Sequence, residues 1–313
     1  NWWEYYNDIQ NSLHADIPEI RWFIDPDGNE FSLISTDGGL YYANQNLTFV
    51  NNLSMNGLGV SQYYSTYTNK NEPHLIWAGS QDQGIQRSIS DGDGILDFTQ
   101  LISGDYGHLS SSDGGQTIWF VYPGLVTYMT TPGNFYVSWN FQGSGYLWIP
   151  PLIEHPHNPN MSYLAGGSIN GGNRIIKLTA YTNYIDAQEL PYSFNGTLSA
   201  LEYSSIDPNH MYAITSSGYF YHSQDGGTDW HLTADFNGPD GNYLYGSTIL
   251  PSDQHLGKVM IGGSGYSNPP VFISEDHGQS FENLSQGLPN TMVFALDGTL
   301  DGYLVFAATE VGP

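Results

Sequence analysis

Four aspartates in the first third of the chain sit where short apolar segments run out into small residues. They are Asp16 in His14-Ala15-Asp16, Asp37 in Thr36-Asp37-Gly38-Gly39, Asp82 in Gln81-Asp82-Gln83-Gly84 and Asp105 in Gly104-Asp105-Tyr106. Several carboxylates converging on a polar, glycine-lined opening can bind Ca²⁺ through hard oxygen ligands, or hold a sugar by its hydroxyls. Two carboxyls flanking a glycosidic bond, about 5–5.5 Å apart for retention and wider for inversion, hydrolyse it. His14, Gln81 and His108 lie beside these aspartates and would line the same opening. The competing role is local, because an Asp beside a Gly often caps its own turn by accepting backbone N–H groups. Residue types and spacing leave both roles open.

The aspartates meet only if separate turns are brought to one place, so the elements that carry them matter. Ser223-Gln-Asp225-Gly-Gly227-Thr-Asp-Trp230 and Ser274-Glu-Asp276-His-Gly278-Gln-Ser-Phe281 share the pattern Ser-x-Asp-x-Gly-x-x-aromatic, 51 positions apart. In a turn of this form the Ser and Asp side chains bond the loop backbone. Gly takes a positive φ, and the aromatic pins the turn to a sheet. Ser111-Ser-Asp113-Gly-Gly115-Gln-Thr117 fits part of the pattern with Ile118 in place of the aromatic, and Ser88–Phe98 looks like an expanded version. Both are read as structural turns.

Between these turns the chain falls into units of roughly 40–50 residues, each with a DP- or NP-type turn, an apolar strand, a Gly-led hairpin and an outer strand. The units run 22–49, 74–101, 115–148, 155–178, from 206, from 250, and partially over 293–310. That is about seven, the number of a closed β-propeller of four-stranded blades. Asn1–Asp8 reads as a strand that pairs with the last, incomplete unit and closes the ring. Tyr181–Glu189 is the one helix-like stretch, and it lacks a 3.6 period. The expectation is an all-β fold, a single β-propeller domain over residues 1–313 with seven four-stranded blades, and ends like those of a segment cut from a longer chain.

Composition agrees. Among 313 residues there are 24 Tyr, 14 Phe, 8 Trp and 37 Gly, and charged residues make up only 12%. Such a chain favours pleated surfaces and tight turns over exposed helices. Six basic against 31 acidic residues give a net charge of −25, which excludes counterion-release binding to nucleic acid and to anionic membranes. The absence of cysteine removes disulfides and thiol chemistry. No apolar run is long enough to insert into a membrane as a helix. The chain has 10 His, and the His155-Pro156-His157 pair among them matches no zinc signature. Trp139, Trp148 and Tyr146 could stack on sugar rings or pack between sheets.

At the two Ser-x-Asp-x-Gly turns, and at His14–Asp16, Ser35–Tyr41, Gly79–Gly84 and Ser103–His108, the chain resembles the BNR/Asp-box β-propellers. This group includes sialidases, xyloglucanase-type glycoside hydrolases and sortilin-type receptors, and the likeness is nearest to secreted bacterial sortilin-like repeat proteins. The resemblance implies a structural role for Ser223, Asp225, Gly227, Trp230, Ser274, Asp276, Gly278 and Phe281, on outer hairpins away from ligand sites. It places Asp37 in a context similar to that of a catalytic Asp of the xyloglucanase-type enzymes. Those enzymes set acid and base on two facing propellers, so here Asp82 or Asp105 would have to be the partner. Arg21, Arg87 and Arg174 are too few in motif context for the arginine clamp of a sialidase. The function expected is a secreted or cell-surface module that binds extracellular protein or polysaccharide, with Ca²⁺ as the one cofactor considered. The alternatives are an Asp-box glycoside hydrolase and a purely architectural module of a longer surface protein.

Overall fold

The computed structural model describes residues 8, 10–54, 62–69, 71–90, 96–131, 135–236, 244–266, 268–299 and 301–312. Their regular elements are β-strands, and no α-helix occurs among them. The first sheet holds β1 (Glu19–Ile24), β2 (Glu30–Thr36), β3 (Gly39–Asn44) and β4 (Val50–Asn52). The second holds β5 (Tyr63–Thr68), β6 (Ile76–Ser80), β7 (Gly84–Ser90) and β8 (Leu96–Ile102). The third holds β9 (Gly107–Ser110), β10 (Thr117–Tyr122), β11 (Leu125–Thr130) and β12 (Phe135–Asn140). The fourth is built from β13 (Leu152–His155), β14 (Asn158–Gly167), β15 (Arg174–Ala180) and β16 (Ile185–Glu189). The fifth has β17 (Leu198–Tyr203), β18 (Met211–Thr215), β19 (Tyr219–Ser223) and β20 (His231–Asp235). The sixth has β21 (Gly246–Pro251), β22 (Val259–Gly263), β23 (Val271–Ser274) and β24 (Glu282–Asn283), and the last pairs β25 (Val293–Gly298) with β26 (Val305–Thr309).

In every sheet the strands lie side by side in chain order, an antiparallel meander. This is the sheet set of a seven-bladed β-propeller, with four strands in six sheets and two described strands in the seventh. By contacts the chain divides into two compact units, Asn1–Pro123 and Gly124–Pro313. The strand expected over Asn1–Asp8 lies outside the described residues, except for Asp8, whose Oδ1 accepts the Asn11 N–H at 3.2 Å. Residues 91–95 of the expanded turn Ser88–Phe98 also lie outside them.

The second unit shows why these sequences become stacked sheets. Strand β18 reads Met-Tyr-Ala-Ile-Thr and is buried along its whole length. Successive side chains of a strand point to opposite faces. Met211 and Ala213, with Tyr221 and Trp230, therefore enter a core shared with Ile153, Tyr163 and Ile175 of the fourth sheet. Tyr212 and Ile214, with Phe220, enter another shared with Ile249, Val259 and Ile261 of the sixth. A third core joins Met260 and Val271 to Val293 and Leu296. Each large apolar side chain buried this way contributes about 1.5–3 kcal/mol. In the first unit, Ile34, Tyr41 and Ala43 pack with Leu13 and Val50.

Three local readings change. The units 74–101 and 115–148 and the one from 206 begin one strand late, and those from 155 and 250 begin at the end of their first strand, because the turns there join the first strand of a sheet to its second rather than one sheet to the next. Tyr181–Glu189 is a turn, with the Tyr181 N–H donating to the Tyr184 carbonyl at 2.8 Å, followed by β16. Ser111–Thr117 makes the full bonding set of the Ser-x-Asp-x-Gly turns, despite Ile118. The Ser111 hydroxyl donates to Asp113 at 2.9 Å, Gly115 N–H to Ser111 Oγ at 2.8 Å and Thr117 N–H to Asp113 at 2.9 Å.

Candidate functional site

Within the first unit, the β2–β3 turn, the β6–β7 turn, the β8–β9 connection and the segment entering β1 build an acidic cluster around Asp82. Glycine permits the close approach. A Cβ on Gly38 would sit 2.7 Å from His14 Cγ, and one on Gly39 would sit 2.5 Å from Ser54 Oγ. The His14 ring thus lies against the Thr36–Gly39 turn, and its Nε2 comes 3.5 Å from Asp82 Oδ1. His14 Nδ1 lies 3.0 Å from the Ala15 carbonyl, an acceptor only, so it carries the proton there.

Asp82 has a left-handed backbone, φ 59°. Its N–H donates to Asp105 Oδ1 at 3.2 Å, and its carbonyl accepts from Gly104 N–H at 3.2 Å and the Ser103 hydroxyl at 3.0 Å. Asp82 Oδ2 is buried and accepts no hydrogen bond from the described residues. Burial lifts the Asp82 carboxyl above the usual carboxylate range; His14 opposes that, while Asp105, Asp37 and Asp16 add to it. Asp16 and Asp37 are exposed, whereas Asp105 is half-buried.

The structure therefore brings Asp16, Asp37, Asp82, Asp105 and His14 into one electrostatic neighbourhood. Asp105 caps the turn of a neighbouring sheet rather than its own. Gln81 is half-buried, and its N–H donates to the Gln62 carbonyl at 2.9 Å. His108 is half-buried at φ 46° in β9. The amide bonded into the cluster is Gln83, which the sequence reading passed over. Its Nε2 lies 3.5 Å from the Gly38 carbonyl, its Oε1 accepts from Gln86 at 3.3 Å, and Gln86 Oε1 accepts the Tyr63 hydroxyl at 2.8 Å.

A carboxyl with a raised folded-state value favours folding only while protonated. Its contribution is complete below the ordinary carboxylate range and lost as pH rises through the raised value. Ionised Asp82 is thus a cost at neutral pH. Asp82→Asn, which suits the left-handed backbone, is expected to add about 1 kcal/mol near pH 7 and nothing near pH 3. Urea unfolding at the two pH values checks this; a loss near pH 7 would mean that the His14 contact outweighs the burial.

The other residues singled out by the sequence fall in plainly structural places. Ser223 donates to Asp225 at 2.9 Å and accepts Gly227 N–H at 3.0 Å, while Asp225 accepts Asp229 N–H at 3.0 Å. The second turn repeats this with Ser274, Asp276, Gly278 and Ser280. Trp230 Nε1 donates to the Gly227 carbonyl at 3.0 Å, and Phe281 stacks edge-on against Phe220 and Phe236. Each arginine has a partner in its own sheet: Arg21 with Glu19 at 2.7 Å, Arg87 over Trp77 at 5.3 Å and Arg174 with Glu189 at 3.6 Å. His155 and His157 help to line a cavity of about 170 Å³ with Tyr163, Tyr203 and Met211. Trp139 is buried, Trp148 is exposed, and Tyr146 stacks on Phe141 at 4.3 Å. His210, His222 and His277, which no spacing signature flags, come together in the second unit.

No protein-family model matches this sequence, and no curated protein matches it. Solved structures do match in fold. The extracellular domain of a putative one-component system from B. thetaiotaomicron is similar over 97% of this chain, at TM-score 0.60 and 13% identity. This chain spans 39% of that structure's length. The β-propeller domain of Myceliophteria thermophila Cps50 (Swd1) is similar over 80% of each chain, at TM-score 0.58 and 13% identity. U3-55K is similar over 95% of this chain and 90% of its own, at TM-score 0.56 and 13% identity. At such identities the likeness shows the fold alone: the chain is a β-propeller. Among the described residues no helix is long and apolar enough to cross a membrane.

Proposed function

We propose that this protein is a non-enzymatic binding propeller, secreted or displayed at a cell surface, and that it takes an uncharged extracellular polysaccharide at the acidic cluster. One observation carries this reading. The Tyr63 ring, 43% exposed, is tied through Gln86 and Gln83 to the Gly38 carbonyl beside the carboxylates. An aromatic face for a sugar ring and acceptors for its hydroxyls are the two parts of a glycan subsite. The charge of −25 repels sulfated and uronate-rich polymers, which favours neutral glycans over polyanions. An extracellular protein partner is the competing occupant. The three Ser-x-Asp-x-Gly turns support a place among the BNR/Asp-box and sortilin-like propellers, with the 313 residues as one domain.

A second reading rests on Asp82. A carboxyl raised by burial beside other carboxyls is what a general acid needs, and Asp37 would then be the catalytic partner of a glycoside hydrolase. Affinity electrophoresis in neutral and sulfated polysaccharides, run beside reducing-sugar assays, separates the readings. Retardation by a neutral glycan without sugar release, weakened at least tenfold in Tyr63→Ala and Asp37→Asn, is expected. Release that disappears in Asp37→Asn supports the hydrolase, and no retardation by any neutral glycan overturns the proposal. Loss of retardation in EGTA would place Ca²⁺ among these carboxylates.

A further inference from the structure

Strand register and a turn from the next sheet bring three imidazoles together. Tyr212 of β18 faces His222 of β19 across the ladder, and His210, two residues before Tyr212, points to the same face. That face covers the sixth sheet, whose Ser274–Phe281 turn delivers His277. His277 has φ 61°, its N–H donates to the Gly257 carbonyl at 2.8 Å, and its Nδ1 lies 3.0 Å from the Tyr212 hydroxyl. Gly257 is required there, since a Cβ would come 2.9 Å from His277 Nε2. The three rings are mutually near-parallel, with centroids 4.5–5.1 Å apart.

We propose that His210, His222 and His277 bind a late first-row divalent cation, Cu²⁺ or Zn²⁺, and that the ion ties the sixth sheet's turn to the fifth sheet. One nitrogen from each residue lies within 4.8 Å of the other two. His210 Nδ1 and His222 Nε2 are 2.9 Å apart, so a single proton joins them. A tetrahedral ion with bonds of about 2.0–2.1 Å keeps its nitrogens roughly 3.3 Å apart. Replacing that proton by a cation therefore needs the pair to open by only a few tenths of an ångström, with some ring tilt. An all-imidazole donor set selects Cu²⁺ and Zn²⁺ over Ca²⁺ and Mg²⁺. Orienting groups are present too. His210 Nε2 lies 3.8 Å from Asp207 Oδ2, and the Tyr212 hydroxyl holds the His277 ring.

The test is titration of chelator-stripped protein with CuCl₂ and with ZnCl₂, read by calorimetry, melting temperature and, for Cu²⁺, electron paramagnetic resonance. Expected are one saturable site at micromolar metal, a rise of several degrees in melting temperature and a three-nitrogen Cu²⁺ signature. His277→Gln and His210→Gln, both at half-buried positions, should each weaken binding at least tenfold and remove one nitrogen from the spectrum, in protein whose metal-free melting transition stays cooperative. The paired variant His155→Gln/His157→Gln should bind as the parent does. Absence of saturable binding, or binding that persists in His277→Gln and vanishes in the 155/157 variant, overturns the proposal.

Discussion

Gly84→Ala is expected to lose about 4 kcal/mol or more, at the severe end of single substitutions. Gly84 opens β7 at φ 71°, and a Cβ there would lie 1.7 Å from the Ile102 carbonyl oxygen and 2.7 Å from Ser103 Cα. Those are backbone atoms of the strand and connection that carry Asp105, and no rotamer change relieves the overlap. The β7–β8 ladder already shifts register at this end, between Ile85 and Gln86, so the methyl must drive the strands apart and move Asp82 with them. Gly28→Ala is the control. Gly28 has φ 87° with nothing within 4 Å of a Cβ, so it keeps only the left-handed strain of about 1–2 kcal/mol. Equal losses in the two proteins, measured by urea unfolding, would show that contact with Ile102 does not set the position of the turn.

Trp230→Ala should cost about 3–5 kcal/mol, the usual range for a large aromatic removed from a core. The ring is 3% exposed, meets Phe194 at a centroid distance of 5.2 Å, and bonds the Gly227 carbonyl. Its removal empties the margin of the core between the fourth and fifth sheets and leaves that carbonyl short of a donor. Trp148→Ala removes the same volume from a side chain 66% exposed, and should change stability by less than about 0.5 kcal/mol. Denaturant midpoints of the two variants, compared at equal slope, check the contrast. A small loss for Trp230→Ala would mean that the turn holds through Ser223 and Asp225 alone.

Much of this fold was legible because its turns write themselves in local chemistry. Ser223–Trp230 and Ser274–Phe281 close on their own side chains, so spacing alone reveals them. Ser111–Thr117 shows that the Ser, Asp and Gly suffice for the bonding, while the aromatic answers to packing beyond the turn. First strands were harder. Tyr63–Thr68 and Gly107–Ser110 are short or largely exposed and end at conspicuous Pro- or Gly-containing turns, which drew the unit boundary one strand too far along. The acidic cluster was partly visible, since each Asp marks a strand end, but the partnership of Asp82 with His14 and Asp105 depends on neighbouring sheets. Gln83 and the three histidines were hidden for that reason. His210 and His222 meet by ladder register, and His277 arrives 55 residues after His222, a separation that no local motif encodes.

The two-sided burial of β18 bears on how such a protein gains or loses repeats. Met211 and Tyr212 are adjacent in sequence yet serve different neighbours, so excising residues 198–235 would strip cover from the sheets on either side. Modularity in this chain resides in the seam rather than in the blade. Losing or gaining a whole sheet therefore demands new cover on both flanking faces at once.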